Sequence, residues 1–195
     1  MLTLLAIILL IGSFVLSVVL TAIASKLAAR TGLVAHPAAD RYHRASVPLG
    51  GGIAIFATLS IIILAAIATV KFLVAPGYLD WLGESVTIHT AGFLSKIGRL
   101  VIILLCVFVL FALGLWDDRK HLGPFFKLAV QFAVAITAAA FADIRVEFFI
   151  ENRIITTLLS AMWIVLIINA FNFLDNMDGL AAGIAVITTC ILFIL

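Results

Sequence analysis

Long apolar runs separated by short polar gaps organise this chain. A helix that crosses a bilayer needs about 20 mainly apolar residues, with about 17 as the lower limit. Six segments meet that requirement: 3–25, 51–74, 99–116, 124–142, 154–171 and 179–195. The fourth is interrupted by Lys127 and Gln131. The gaps are 26–50, 75–98, 117–123, 143–153 and 172–178, and the pattern holds no internal repeat, low-complexity tract or soluble domain. The expectation is an all-α polytopic membrane protein of about six helices, forming one transmembrane domain over 1–195 that is incomplete at its C-terminus.

Composition agrees. Hydrophobic residues are 65% of the chain and charged residues 11%, against roughly 45–50% and about 25% in a soluble domain. The net charge of +2 comes with no basic patch suited to nucleic acid. Cys106 and Cys190 lie inside apolar runs, where a thiol behaves as a small hydrophobe rather than as part of a disulfide framework or metal site. Met1 to Ser25 has no positive n-region, and its apolar run exceeds the h-region of a signal peptide. Lys26 and Arg30 follow that run, which places the N-terminus outside and the end of the first span in the cytoplasm. Gaps 26–50, 117–123 and 172–178 then share the cytoplasmic face, and seven of the twelve Lys and Arg lie in or beside them. The chain ends at Leu195 within an apolar run, as a fragment of a longer membrane protein or a natural truncation would.

Those three gaps hold the candidate chemistry. Asn169, Asn172, Asp175 and Asp178 recur at a spacing of three between two apolar segments. Ionisable groups at membrane depth are expensive and mark functional sites. Each step of three falls about 60° short of a helical turn, so the four share a face only where the helix tightens or unwinds; Asn176 and Gly179 favour that. Carboxamides read donor and acceptor edges of sugars or bases, and carboxylates take hydroxyls or metal. A turn rich in Asn and Asp explains one or two of these residues, not all four at one spacing.

Asp117 and Asp118 are adjacent carboxylates whose repulsion a proton or cation relieves. Mg²⁺ suits them, since it binds through one or two carboxylates plus substrate phosphates; Mn²⁺ is the alternative ion. The plain reading is a solvated helix end neutralised by Arg119 and Lys120. Lys127 and Gln131, four apart, share a helix face. Lys127 either snorkels to the interface or holds a phosphate. In the first gap, Arg41, His43 and Arg44 precede the triplet Gly50-Gly51-Gly52, which opens a span and allows close backbone approach or phosphate contact through N–H groups. His43 alone reads as a surface histidine, and His89 and His121 receive no role.

Together His43 with Val47-Pro-Leu-Gly-Gly-Gly52, Gly114-Leu-Trp-Asp-Asp118, Lys127 with Gln131, and Asn169 through Gly183 resemble the polyprenyl-phosphate N-acetylhexosamine-1-phosphate transferases (glycosyltransferase family 4) over essentially the whole chain. The histidine-containing motif is more similar to the GlcNAc-1-phosphate branch than to the muramoyl-pentapeptide branch. Three departures stand out. Asp175-Asn176 replaces the usual Asp-Gly, Asp40-Arg41 stands where a basic pair is usual, and the later motifs of a ten- or eleven-helix fold would lie beyond Leu195.

The resemblance implies Mg²⁺-dependent transfer of a sugar-1-phosphate from a UDP-sugar to a polyprenyl phosphate, such as undecaprenyl phosphate, with release of UMP. It implies a site facing the cytoplasm from the bacterial inner membrane, serving cell-wall or lipopolysaccharide synthesis. Asp117 and Asp118 would be catalytic and hold the metal. Asn169, Asn172, Asp175, Asp178, Lys127, Arg41 and His43 would bind substrate. A homodimer is left open as the oligomeric state.

Other readings compete. Asp175-x-x-Asp178-Gly179-x-x-Ala182 resembles the start of the CDP-alcohol phosphotransferase motif, but Gly183 replaces its Arg. A cation transporter would use the same aspartates at interrupted helices, and an inactive fragment would keep only the fold.

Overall fold

A computed structural model describes residues 2–32, 34–35, 47–48, 50–83, 87–146, 149–175 and 179–194. Among the described residues it is mainly helical, with one small strand pair. Five helices among the described residues are long and apolar enough to cross a membrane. The chain divides into two compact units, Met1–Gly123 and Pro124–Leu195, each described by itself.

The first unit begins with α1 (Leu2–Thr31). A two-residue ladder follows, β1 (Val34–Ala35) antiparallel to β2 (Val47–Pro48), with Val34 opposite Pro48 and Ala35 opposite Val47. It pairs the residues on either side of 36–46, the segment carrying Arg41 and His43. Helix α2 (Gly51–Thr69) continues into a π-helical turn over Val70–Val74, where Ala75 N–H donates to Val70 C=O at 2.9 Å. A 3₁₀ turn at Asp80–Leu82 leads on towards α3 (Thr90–Lys120).

Small residues hold α1 against α2. Ala24, Ala28 and Ala54 are buried, and so is Thr58, whose hydroxyl donates to the Ala54 carbonyl at 2.7 Å. Large side chains such as Leu10, Phe14 and Ile55 face outward. This inverts the order of a soluble core. Lipid tails are as apolar as leucine, so helix pairing in a membrane is driven by close backbone approach and packing. Between α2 and α3 the contact is aromatic: Phe56 stacks on Phe111 at 4.6 Å and 7°, with Phe108 tilted against it at 5.8 Å.

The second unit holds α4 (Pro124–Phe141), α5 (Arg153–Leu174) and α6 (Leu180–Ile194). Pro124 opens α4 at the position where its missing N–H leaves no bond unmade. Asn152 caps α5, its Oδ1 accepting from the N–H groups of Ile154 (2.9 Å) and Ile155 (3.2 Å). The α4–α5 core is Ala135, Ala161 and Val165, flanked by Phe132 and Ile164. Ser160 is 1% exposed; its hydroxyl donates to Thr156 C=O at 2.7 Å and accepts from Val146 N–H at 2.8 Å. One side chain thereby ties the segment after α4 to α5.

Each expected apolar segment overlaps a helix among the described residues, but the bounds differ. The segment 99–116 lies within the 31-residue α3, which continues through the charged residues at both ends. The segment 179–195 forms a helix of 15 residues, shorter than the other five.

Candidate functional site

Asp117 and Asp118 stand in the last turn of α3, not in a gap after it. Successive helical positions are about 100° apart around the axis, so the two carboxylates leave the helix in different directions. Asp117 is half-buried and Asp118 exposed. The helix ends at His121, which adopts the left-handed conformation (φ 39°) and donates its N–H to the Asp117 carbonyl at 2.9 Å. One residue later, Leu122 N–H donates to Asp117 Oδ1 at 2.8 Å. Asp117 therefore builds the turn that ends its own helix, using main chain and side chain together. The C-terminal end of a helix carries partial negative charge. Two carboxylates placed there strengthen a field that draws cations.

In the second unit the buried amide of Gln131, 9% exposed, meets Asn169 across the α4–α5 interface. Asn169 Nδ2 donates to Gln131 Oε1 at 2.7 Å and to the Val165 carbonyl, one turn back on α5, at 2.8 Å. Lys127 lies one turn before Gln131, in the first turn of α4, and is half-buried.

The polar series beyond Asn169 crosses the end of α5. Asn172 is exposed within the last turn, and Asp175 is exposed at the C-cap, its N–H donating to Phe171 C=O at 3.0 Å. Gly179 takes a positive φ of 76°, and α6 begins at Leu180. The helix thus stops between the second and third of the four spaced groups, the interruption their spacing calls for. Asp178 and Asn176 lie outside the described residues, as do Arg41, His43 and Arg44.

The glycine triplet divides. A Cβ on Gly50 would lie 2.9 Å from both C and O of Ala24, whereas Gly51 and Gly52 have nothing within 4 Å. Gly50 is the residue of close approach. Sequence reasoning also gave Gln131 no contact of its own, and its pairing with Asn169, 38 positions on, left no local signal. His121 had one: a residue following Asp-Asp-Arg-Lys at a helix end.

Elsewhere in the second unit, Arg145, Phe149, Ile150, Glu151 and Thr156 line an open depression near the start of α5. It lies at the end of the α4–α5 pair away from Gln131 and Asn169. Arg145 there pairs with Asp143 at 2.7 Å.

Residues 100–195 match the family model described as glycosyl transferase family 4. A probable undecaprenyl-phosphate N-acetylglucosaminyl 1-phosphate transferase of Bacillus subtilis is 29% identical over 185 residues, 91% of this chain and 44% of its own length. An undecaprenyl-phosphate alpha-N-acetylglucosaminyl 1-phosphate transferase of Thermotoga maritima is 29% identical over 175 residues, 90% of this chain and 47% of its own. A decaprenyl-phosphate N-acetylglucosaminephosphotransferase of Mycobacterium tuberculosis is 29% identical over 171 residues, 83% of this chain and 38% of its own. The chain spans less than half the length of these curated relatives. No solved structure matches it significantly. The stretch that carries Asp117, Asp118, Lys127, Asn169 and Asp175 is the stretch that matches the glycosyl transferase family 4 model.

Proposed function

We propose that this chain contributes to a phosphosugar transferase that moves N-acetylglucosamine-1-phosphate from UDP-GlcNAc to a polyprenyl phosphate and releases UMP. The carrying observation is that one family match, over residues 100–195, covers both the carboxylate-bearing end of α3 and the interrupted polar end of α5. In this reaction an oxygen of the lipid phosphate attacks the sugar-linked phosphorus. A new P–O bond forms as the bond to UMP breaks, so one pyrophosphate linkage replaces another. Such chemistry depends on positioning and charge stabilisation more than on covalent participation by the protein.

The residues present fit Mg²⁺. Asp117 and Asp118 are hard oxygen donors at the negative end of a helix dipole, and Asp118 is exposed. An ion held by one or two carboxylates keeps room for phosphate oxygens and water. When bound it would neutralise charge on the reacting phosphates. Asp117 and Asp118 would hold it, with Asp117 fixed in place by Leu122 N–H. Lys127 would offset phosphate charge, Asn169, Asn172, Asp175 and Asp178 would contact the nucleotide-sugar, and Arg41 and His43 would bind substrate. The position of Asp117, Asp118 and Asp175 at helix ends supports chemistry at a membrane surface over an ion path through its middle; the proposed surface is the cytoplasmic face of a bacterial inner membrane, as the distribution of Lys and Arg favours.

The test uses membranes holding the complete gene product, read to its stop codon. Labelled UDP-GlcNAc and undecaprenyl phosphate are supplied with and without Mg²⁺. Mg²⁺-dependent lipid-linked label with stoichiometric UMP is the expected result. Cation flux without any lipid-linked label would overturn the reading.

A further inference from the structure

We infer that Gln131 is a positioning residue that turns the Asn169 carboxamide so that its oxygen faces the ligand, and that Asn169 therefore reads a hydrogen-bond donor on the sugar nucleotide. The inference rests on the transferase reading above for the ligand, and on geometry alone for the pairing.

A carboxamide looks much the same with its oxygen and nitrogen exchanged, so its direction has to be argued from its neighbours. Here one neighbour settles it. The Val165 carbonyl is an acceptor only, and it lies 2.8 Å from the Asn169 amide, so the atom facing it is Nδ2. That same nitrogen lies 2.7 Å from the Gln131 side chain, which must then present Oε1. Both hydrogens of Nδ2 are consumed within the protein. What Asn169 offers outward is Oδ1, an acceptor with two lone pairs.

The chemical consequence is selective. An acceptor oxygen is unsuited to a phosphate and suited to a hydroxyl or an N–H. On a UDP-sugar those groups are the uracil imide, the ribose hydroxyls and the hydroxyls and amide of the hexosamine. Gln131 reinforces the choice made by the Val165 carbonyl: it is 9% exposed, held in the α4–α5 interface, and supplies the second acceptor for Nδ2, whereas Asn169 lies towards the open side. Without Gln131 the amide keeps only its bond to its own helix, and rotation about its last torsion is no longer opposed.

Two measurements on the complete gene product test this. The first is kinetic. Gln131→Leu is expected to raise KM for UDP-GlcNAc about tenfold, the worth of one oriented hydrogen bond, with kcat and the KM for undecaprenyl phosphate changed less than about twofold. Gln131→Glu, whose buried acid group still offers a carbonyl oxygen, is expected to stay within about threefold of the parent. UDP-GlcNAc analogues methylated at uracil N3 or lacking single hydroxyls identify the donor, since the analogue without it becomes indifferent to Gln131→Leu. An unchanged KM in Gln131→Leu, an equal loss in Gln131→Glu, or analogues that all stay as sensitive as the parent would overturn the proposal.

The second needs no activity. Thermal unfolding of Gln131→Leu, Asn169→Leu and the double variant in detergent is expected to show less than additive loss of Tm. Additive losses would overturn the pairing itself. A parent protein that transfers nothing, with a coupled Tm cycle, would instead refute the transferase reading and leave the pairing standing.

Discussion

Gly50 meets Ala24 backbone to backbone: a Cβ at position 50 would lie 2.9 Å from the carbonyl carbon and oxygen of residue 24. Those atoms belong to a helix main chain and have nowhere to retreat. Gly50→Ala is expected to destabilise the chain by about 1–3 kcal/mol through overpacking. Gly51→Ala and Gly52→Ala, with open space at the new methyl, are expected to be neutral or to stabilise by up to about 1 kcal/mol through helix propensity. Thermal unfolding in detergent separates the three; equal effects at all three positions would contradict the close approach.

The turn after α3 depends on an oxygen at Asp117, while the proposed chemistry depends on its charge. Asp117→Asn keeps an acceptor for Leu122 N–H and is expected to fold like the parent. It is expected to lower transfer by about 10²–10³-fold, the scale of losing one preorganised charge contact. Asp117→Ala removes both and is expected to lose Tm as well. Full transfer by a folded Asp117→Asn protein would remove this residue from the catalytic role.

Metal dependence offers a direct check. Treatment with EDTA is expected to abolish transfer in membranes, with restoration by Mg²⁺ and by Mn²⁺, both of which accept oxygen donors. Activity that persists after chelation would exclude the assignment of Asp117 and Asp118 as metal ligands.

Ser160 makes a stability prediction independent of function. Ser160, 1% exposed, satisfies the N–H of the half-buried Val146, and Ser160→Ala strands that donor. The expected loss is about 1 kcal/mol, the low end of the penalty for an unsatisfied donor, since Val146 is only half-buried. Ser160→Thr keeps the hydroxyl but adds a methyl against a full interface, so it tests packing at the same point. Hydrogen exchange at Val146 should quicken in Ser160→Ala first.

Much of this architecture was legible because apolar length is the strongest signal a membrane chain carries. Hydropathy, however, reports where lipid lies and not where a helix ends. The apolar segment 99–116 stopped at its flanking charges, whereas α3 runs from Thr90 to Lys120 because backbone hydrogen bonding is indifferent to the solvent outside it. The same limit explains Gly50. Three consecutive glycines look alike in sequence, and only the position of Ala24 distinguishes the first. Gln131 was visible as a polar residue sharing a face with Lys127, but its contact with Asn169 is a tertiary fact set by the α4–α5 pairing. The spacing of Asn169, Asn172 and Asp175 did forecast an interruption, and α5 ends at Leu174, between the second and third of them.

The uninterrupted run of α3 also fixes a depth. Arg99 and Asp117 are the nearest charges on either side of its apolar stretch. At 1.5 Å per residue they stand about 27 Å apart along the axis, close to the roughly 30 Å of a bilayer's hydrocarbon layer. A rod whose charges all lie at or beyond those two points has little freedom to slide along the membrane normal, because movement either way drags a charge into oil. Asp117 is thereby moored at the layer where lipid head groups lie. On the proposed transferase reading, a phosphate carried on a long prenyl chain would reach that level without leaving the membrane, and the two would meet by diffusion in a plane instead of in three dimensions.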